Sequence, residues 1–165
     1  MTTTFNTHRA LEDFEKARRK AGWRDWLSLL TRKENNLLSL NEILQKFPLT
    51  GQHYLGFQMV PLDKIVGSEG RFHEFDRAFY PREKRTRDRW LKIDQAHYDE
   101  VILPPVELIK IGQIYFVRDG NHRVSVTRAR GHQVIDAYVT EIEVSRQDRY
   151  PEVGRKCCAA MAIPA

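Results

Sequence analysis

The stretch from Gln113 to Val144 constrains this chain most, because a strand pattern runs without a spacer into Asp119-Gly120 and then into a helix pattern. Gln113 to Arg118 reads as a strand, and Val124, Val126, Thr127 and Ala129 lie in a basic helix that opens at Asn121 and is closed by Gly131. Val134 to Val144 alternates as a last strand. A strand that ends at a glycine and opens into a helix presents several unpaired backbone N–H groups and the positive end of the helix dipole. Such a junction attracts anions. Gly120 lets the backbone approach a phosphate closely, and His122 and Arg123 in the first turn can add donors, the guanidinium gripping two oxygens at once.

Upstream, Val106 to Lys110 pairs in pattern with the Gln113 strand around Ile111-Gly112, a tight hairpin whose glycine supplies the positive φ of such turns. Trp90 to Glu100 has helical spacing, and Pro104-Pro105 ends the segment after it. Tyr54 to Val60 alternates as a short strand, followed by a flexible loop at Gly67, Ser68 and Gly70. Before the turn Pro48-Leu49-Thr50-Gly51 lies a helical arm of two or three short helices. Thr7 to Lys20 forms the first and Gly22 breaks it; Trp23, Trp26, Leu27 and Leu30 then recur at helical spacing, and Leu37 to Phe47 repeats the pattern. The tryptophans could stack on a ligand, but a stripe of this period reads better as a packing face. The expected organisation is a helical arm over 1–50, a domain over 51–146 and a tail over 147–165.

At 165 residues the chain suits one compact domain with an extension. Its 41% hydrophobic and 30% charged residues are those of a folding chain. No apolar run approaches a membrane span and no signal core opens the sequence, so the expectation is a cytoplasmic protein without membrane contact. The two cysteines, Cys157 and Cys158, are adjacent, which builds neither a disulfide framework nor a spaced zinc site, and no metal-ligating set is assigned. A net charge of +5 favours polyanionic ligands. Arg82, Lys84, Arg85, Arg87 and Arg89 cluster among aromatics as a nucleic-acid surface would, although Glu74, Asp76, Glu83 and Asp88 dilute the charge.

Three segments in order, Val60-Pro61-Leu62-Asp63-Lys64-Ile65, Leu103-Pro104-Pro105-Val106-Glu107-Leu108 and Tyr115 through Gly131, resemble the ParB/sulfiredoxin superfamily over about half the chain. The resemblance implies a small α+β domain with a mixed sheet, carrying an N-terminal helical arm. It implies nucleotide phosphates held at Gly120, Asn121, His122 and Arg123, with ATP, ADP or CTP as the ligand. Position 121 departs from the pattern: sulfiredoxins have a catalytic cysteine there and partition ParB proteins typically glutamate, whereas this chain has Asn121. An amide is neither a sulfur nucleophile nor a carboxylate base, so sulfinic-acid reduction is not expected.

The Asp-Gly-x-x-Arg stretch resembles a third branch, the kinases that phosphorylate free serine with ADP. Phosphoryl transfer to a hydroxyl needs a carboxylate and a cationic cradle. Glu69 and Asp119 are the candidate carboxylates, Arg71 a candidate phosphate contact, and Mg²⁺ a cation suited to bridge phosphate oxygens. The expected function is nucleotide binding, with small-molecule phosphotransfer or nucleotide hydrolysis as its chemistry. The competing expectation is a noncatalytic nucleic-acid or regulatory module using Arg82 to Arg89 with Arg128 and Arg130. The arm is expected to pack on the domain or to mediate oligomers.

Overall fold

The computed structural model describes residues 2–32 and 34–145. Cys157, Cys158 and the segment 147–165 lie outside the described residues. In chain order the elements are α1 (Thr2–Thr31), β1 (Leu38–Ser39), α2 (Leu40–Lys46), β2 (Leu49–Pro61), β3 (Ile65–Ser68), α3 (Arg87–Tyr98), β4 (Val106–Ile111), β5 (Ile114–Asp119), α4 (Asn121–Ala129) and β6 (Val134–Val144), with single 3-10 turns at Leu62–Lys64 and Lys84–Thr86. The fold is α+β, built on one mixed sheet in the order β1-β3-β5-β4-β6-β2. β1, β3 and β5 run parallel, β4 and β6 run parallel, and the β4–β5 and β6–β2 pairs are antiparallel.

The sheet buries both faces. On one, Val106, Leu108, Val117 and Val139 meet Val124 of α4 together with Phe75 and Phe79 from the long β3–α3 connection. On the other, Val66, Ile109, Phe116 and Ile142 are covered by Leu40, Ile43 and Leu44 of α2. Ser39 caps α2 by accepting from the Glu42 backbone N–H, a Ser-x-x-Glu start absent from the helix anticipated over Leu37 to Phe47. Leu38 and Ser39 instead pair with Gly67 and Ser68 of β3.

The arm differs from its expected form. Gly22 does not break it: α1 is one helix of 30 residues. A mid-helix glycine costs only about 1 kcal/mol, and tertiary contacts on both sides of it outweigh that. Before it, Phe14 and Ala17 pack against Trp90 of α3 and Val126 of α4. After it, Arg24 Nε donates to the buried Asp76 carboxylate at 2.9 Å, and Asp25 accepts from Asn35 and from Arg82. The helical-period stripe at Trp23, Trp26, Leu27 and Leu30 is exposed, not a packing face within the chain. β2 is also longer than the strand expected at Tyr54 to Val60, because β6 offers it a matching length of partner.

Trp90 is the largest fully buried side chain, and its indole N–H donates to Ser125 Oγ at 3.0 Å. It ties α1, α3 and α4 together. Trp90→Ala should cost about 3–5 kcal/mol in chemical denaturation, the usual range for emptying a buried aromatic position. Trp26→Ala, at a side chain 51% exposed, should stay within about 0.5 kcal/mol. Equal losses from the two substitutions would contradict this packing.

Candidate phosphate-binding cleft at the start of helix α4

The parallel neighbours β3 and β5 end side by side, and the chain leaves them through Gly70-Arg71 and Gly120-Asn121. Those two exits and the first turns of α3 enclose a cleft of ≈ 200 Å³. Its walls carry Arg71, Arg89, Arg118 and Arg123, with Asp119, Asn121, His122 and Ile93. Four guanidinium groups converge on the positive end of a helix, an arrangement that calls for an anion.

Gly120 has φ +99°, and a Cβ there would meet Val106 Cγ1 at 2.6 Å and Arg123 Nε at 3.0 Å. Only glycine satisfies both the left-handed backbone and the lack of space. No side chain caps α4, and its first helical hydrogen bond is from Val124 N–H to Gly120 O. The earlier N–H groups of the turn lack that helical partner. Asn121 is 7% exposed, lines the cleft, and its Oδ1 is buried without a hydrogen-bond partner. A buried, unsatisfied amide costs free energy unless a ligand completes it.

Arg123 is placed otherwise than as an open fork. Its Nη1 donates to the Pro104 and Pro105 carbonyls and its Nη2 to Asp119, and the side chain is 14% exposed. Proline carbonyls followed by a strand need a donor, and Arg123 is the group that reaches them. Arg123 thus fixes where α4 begins. Arg71 leans on Glu74 at 3.3 Å, and Arg118 on Glu69 at 3.4 Å. Arg89 is exposed, and its side chain has no ion pair or hydrogen bond with any described residue. Sequence reasoning assigned Arg89 to the charged run and overlooked Arg118. The signal for Arg89 was its i, i+4 spacing to Ile93, which puts both on one face of α3.

Glu69 does not line the cleft but pairs with Arg118, which does, and Asp119 lines the cleft with its carboxylate on Arg123. Among the described residues no group of three His, Cys, Asp or Glu side chains is placed to hold a metal ion. Part of the basic run serves the fold. Arg82 bonds Asp25, Asn36 and the Asn35 carbonyl, and Arg85 pairs with Glu83 and Glu74. Arg128 donates to the Leu62 and Ile65 carbonyls, and Arg130 to Asp94.

No protein-family model matches the sequence, and no curated protein matches it. Among solved structures, the crystal structure of sulfiredoxin from Arabidopsis thaliana is similar with a TM-score of 0.40 and 16% identity, over 62% of this chain and 96% of that one. No helix among the described residues is long and apolar enough to cross a membrane.

His122 is 5% exposed and stands edge-on to Phe75 with ring centroids 5.3 Å apart. Burial, and then the charges of Arg89 and Arg71, push its pKa from 6.5 to about 4, against a smaller opposing pull from Asp119. At neutral pH the imidazole is uncharged. Between those two values the unfolded chain binds a proton that the folded chain does not, so this group's contribution to stability is lost as pH falls through the window. The full effect is about 3 kcal/mol. Buried Asp76 and Asp94, whose pKa values burial raises, act in the opposite sense, so the test is a difference. The stability gap between wild type and His122→Gln should narrow by about 2–3 kcal/mol from pH 7 to pH 4. Parallel pH profiles in urea unfolding would contradict a neutral buried His122.

Proposed function

We propose that this chain binds a nucleotide through its phosphates at the start of α4. The observation that carries the reading is the convergence of a bare helix N-terminus, a glycine that admits no side chain, and the unpartnered Asn121 amide on one cleft walled by arginines. In this reading the first-turn N–H groups take phosphate oxygens, and Arg89, which has no internal partner to leave, supplies the principal charge. Arg71 and Arg118 join by exchanging a carboxylate for the ligand. Arg123 acts as a positioning residue, and neutral His122 offers at most one N–H.

Transfer of a phosphoryl group to a hydroxyl or to water is the chemistry this cleft best suits. Glu69 and Asp119 are its two carboxylates, each held by an arginine that faces the same cleft. Drawing Arg118 onto phosphate would release Glu69 to orient an acceptor. The carboxylates are too few and too engaged for a dedicated metal cage, so Mg²⁺ would enter on the phosphate oxygens. The nucleic-acid reading is weaker, because Arg82, Arg128 and Arg130 are committed to internal partners, which leaves the exposed Lys84, Arg85, Arg87 and Arg89 beside Glu83 and Asp88.

Calorimetry with ATP, ADP and CTP, with and without Mg²⁺, tests the reading. Arg89→Ala should weaken the nucleotide that binds by about ten- to a hundredfold, as loss of a charged hydrogen bond does. Arg87→Ala, exposed on the same helix but outside the cleft, should leave affinity unchanged. Absence of binding by all three nucleotides, or equal losses in the two variants, would overturn the assignment.

A further inference from the structure

The two edges of the sheet are unlike. At one, β1 is a two-residue strand that runs directly into α2, so it offers almost no backbone to a further strand. At the other, β2 runs for 13 residues and is bonded to β6 alone. Natural edges of that length are usually blunted by charges, above all lysine. None of the 13 residues Leu49–Pro61 is Asp, Glu, Lys or Arg, in a chain of which 30% is charged. Register shifts at Leu49/Gly51 and Tyr54/Gly56 interrupt it, and Phe57 to Pro61 follows as an uninterrupted run beside β6.

One side of this edge is also apolar and open. Tyr54 pairs with Thr140, Phe57 with Tyr138 and Met59 with Asp136, so these side chains share the sheet face opposite to that of Ala137 and Val139. Ala137 and Val139 are buried with Val124 of α4, whereas Tyr54 is 68%, Phe57 55% and Met59 70% exposed. This is the face that α2 covers farther along the sheet through Ile109 and Phe116. The covered core therefore continues into an uncovered strip.

We propose that β2 docks a second copy of this chain, the two β2 strands pairing antiparallel across a two-fold axis so that the sheets join edge to edge. A strand edge with unpaired N–H and C=O groups calls for another strand. The β1 edge is too short to serve as that strand, which rules out head-to-tail pairing of β1 on β2 and leaves the closed, two-fold arrangement. Each copy carries a net charge of +5, and a contact through a segment with no charged side chain brings no like charges together within the pair. The paired edge would also set the two apolar strips side by side. There Tyr54, Phe57 and Met59 of one copy would flank those of the other along the new seam, adding side-chain contact to the backbone pairing.

Sedimentation equilibrium of the full chain, joined to amide hydrogen exchange, tests the proposal. At ~50 µM the mass should be twice 19.4 kDa and fall on dilution, and the β2 amides should exchange at least about tenfold more slowly in the concentrated sample. Phe57→Lys combined with Met59→Lys should weaken association at least about tenfold, with an unchanged melting temperature in dilute solution because both side chains are exposed. Trp26→Glu, on the open stripe of α1, should dimerise as the wild type does. A chain that stays monomeric at the higher concentration overturns the proposal, whether its β2 amides exchange freely or are protected by another part of the same chain. A dimer lost in Trp26→Glu and kept in the β2 variant overturns it too, and assigns the contact to α1.

Discussion

Two arginines on α4 hold the fold and the cleft in one piece. Arg128 inserts between the Leu62 and Ile65 carbonyls and lies over the Phe79 ring, tying α4 to the turn between β2 and β3. Burial lowers its pKa, with Asp76 the main charge acting to restore it. A guanidinium tolerates such a site because its donors stay satisfied in a plane and its charge is hard to remove. Arg123, at the other end of the helix, grips Pro104 and Pro105 ahead of β4. The three segments whose order resembles the ParB/sulfiredoxin pattern are thus the three that these arginines bind together.

That division explains why the proposed phosphate contact does not rest on the arginine nearest the glycine. A residue that sets the angle of α4 on the sheet cannot also leave its partners for a ligand without loosening the helix. Cations with weaker commitments, Arg118 on the exposed Glu69 and Arg89 on none, could meet the proposed phosphate more readily than Arg71, whose partner Glu74 is only 14% exposed. Exposed ion pairs are worth little, so exchanging one for a phosphate contact is inexpensive. The cleft therefore combines a fixed part, the backbone from Gly120 to Arg123, with an adjustable part contributed by α3 and by the exits of β3 and β5.

Much of this was legible in the sequence where local chemistry decides the outcome. The β4–β5 hairpin at Gly112, the helix after Gly120, the stop at Gly131 and the final strand Val134–Val144 all follow from glycine φ values and periodicity. What sequence missed was set at long range. The passage of α1 through Gly22 depends on Asp76 and Trp90, more than fifty residues away, and no local pattern encodes them. The tryptophan stripe is misleading for a related reason: α1 packs through Phe14 flanked by Ala10, Ala17 and Ala21, and the small side chains of the alanines give a weaker signal than Trp23 and Trp26. Candidate site residues fared likewise, since Asn121 and Gly120 are local to the junction whereas Arg89 comes from another helix.

Neutral His122 shows how the cleft limits its own charge. Burial, and then the charges of Arg89 and Arg71, depress its pKa, so the imidazole gives up a proton while the nearby guanidinium groups keep theirs. A positively charged His122 packed edge-on to Phe75 would add repulsion at the crowded helix start, and Asp119, the carboxylate that acts on it, is already paired with Arg123. Kept neutral, the ring serves as packing between α4 and the β3–α3 connection. The positive field is left to exposed arginines, which water can screen. The site is in this way strongly cationic at its mouth and uncharged at its buried base, and the two properties depend on each other.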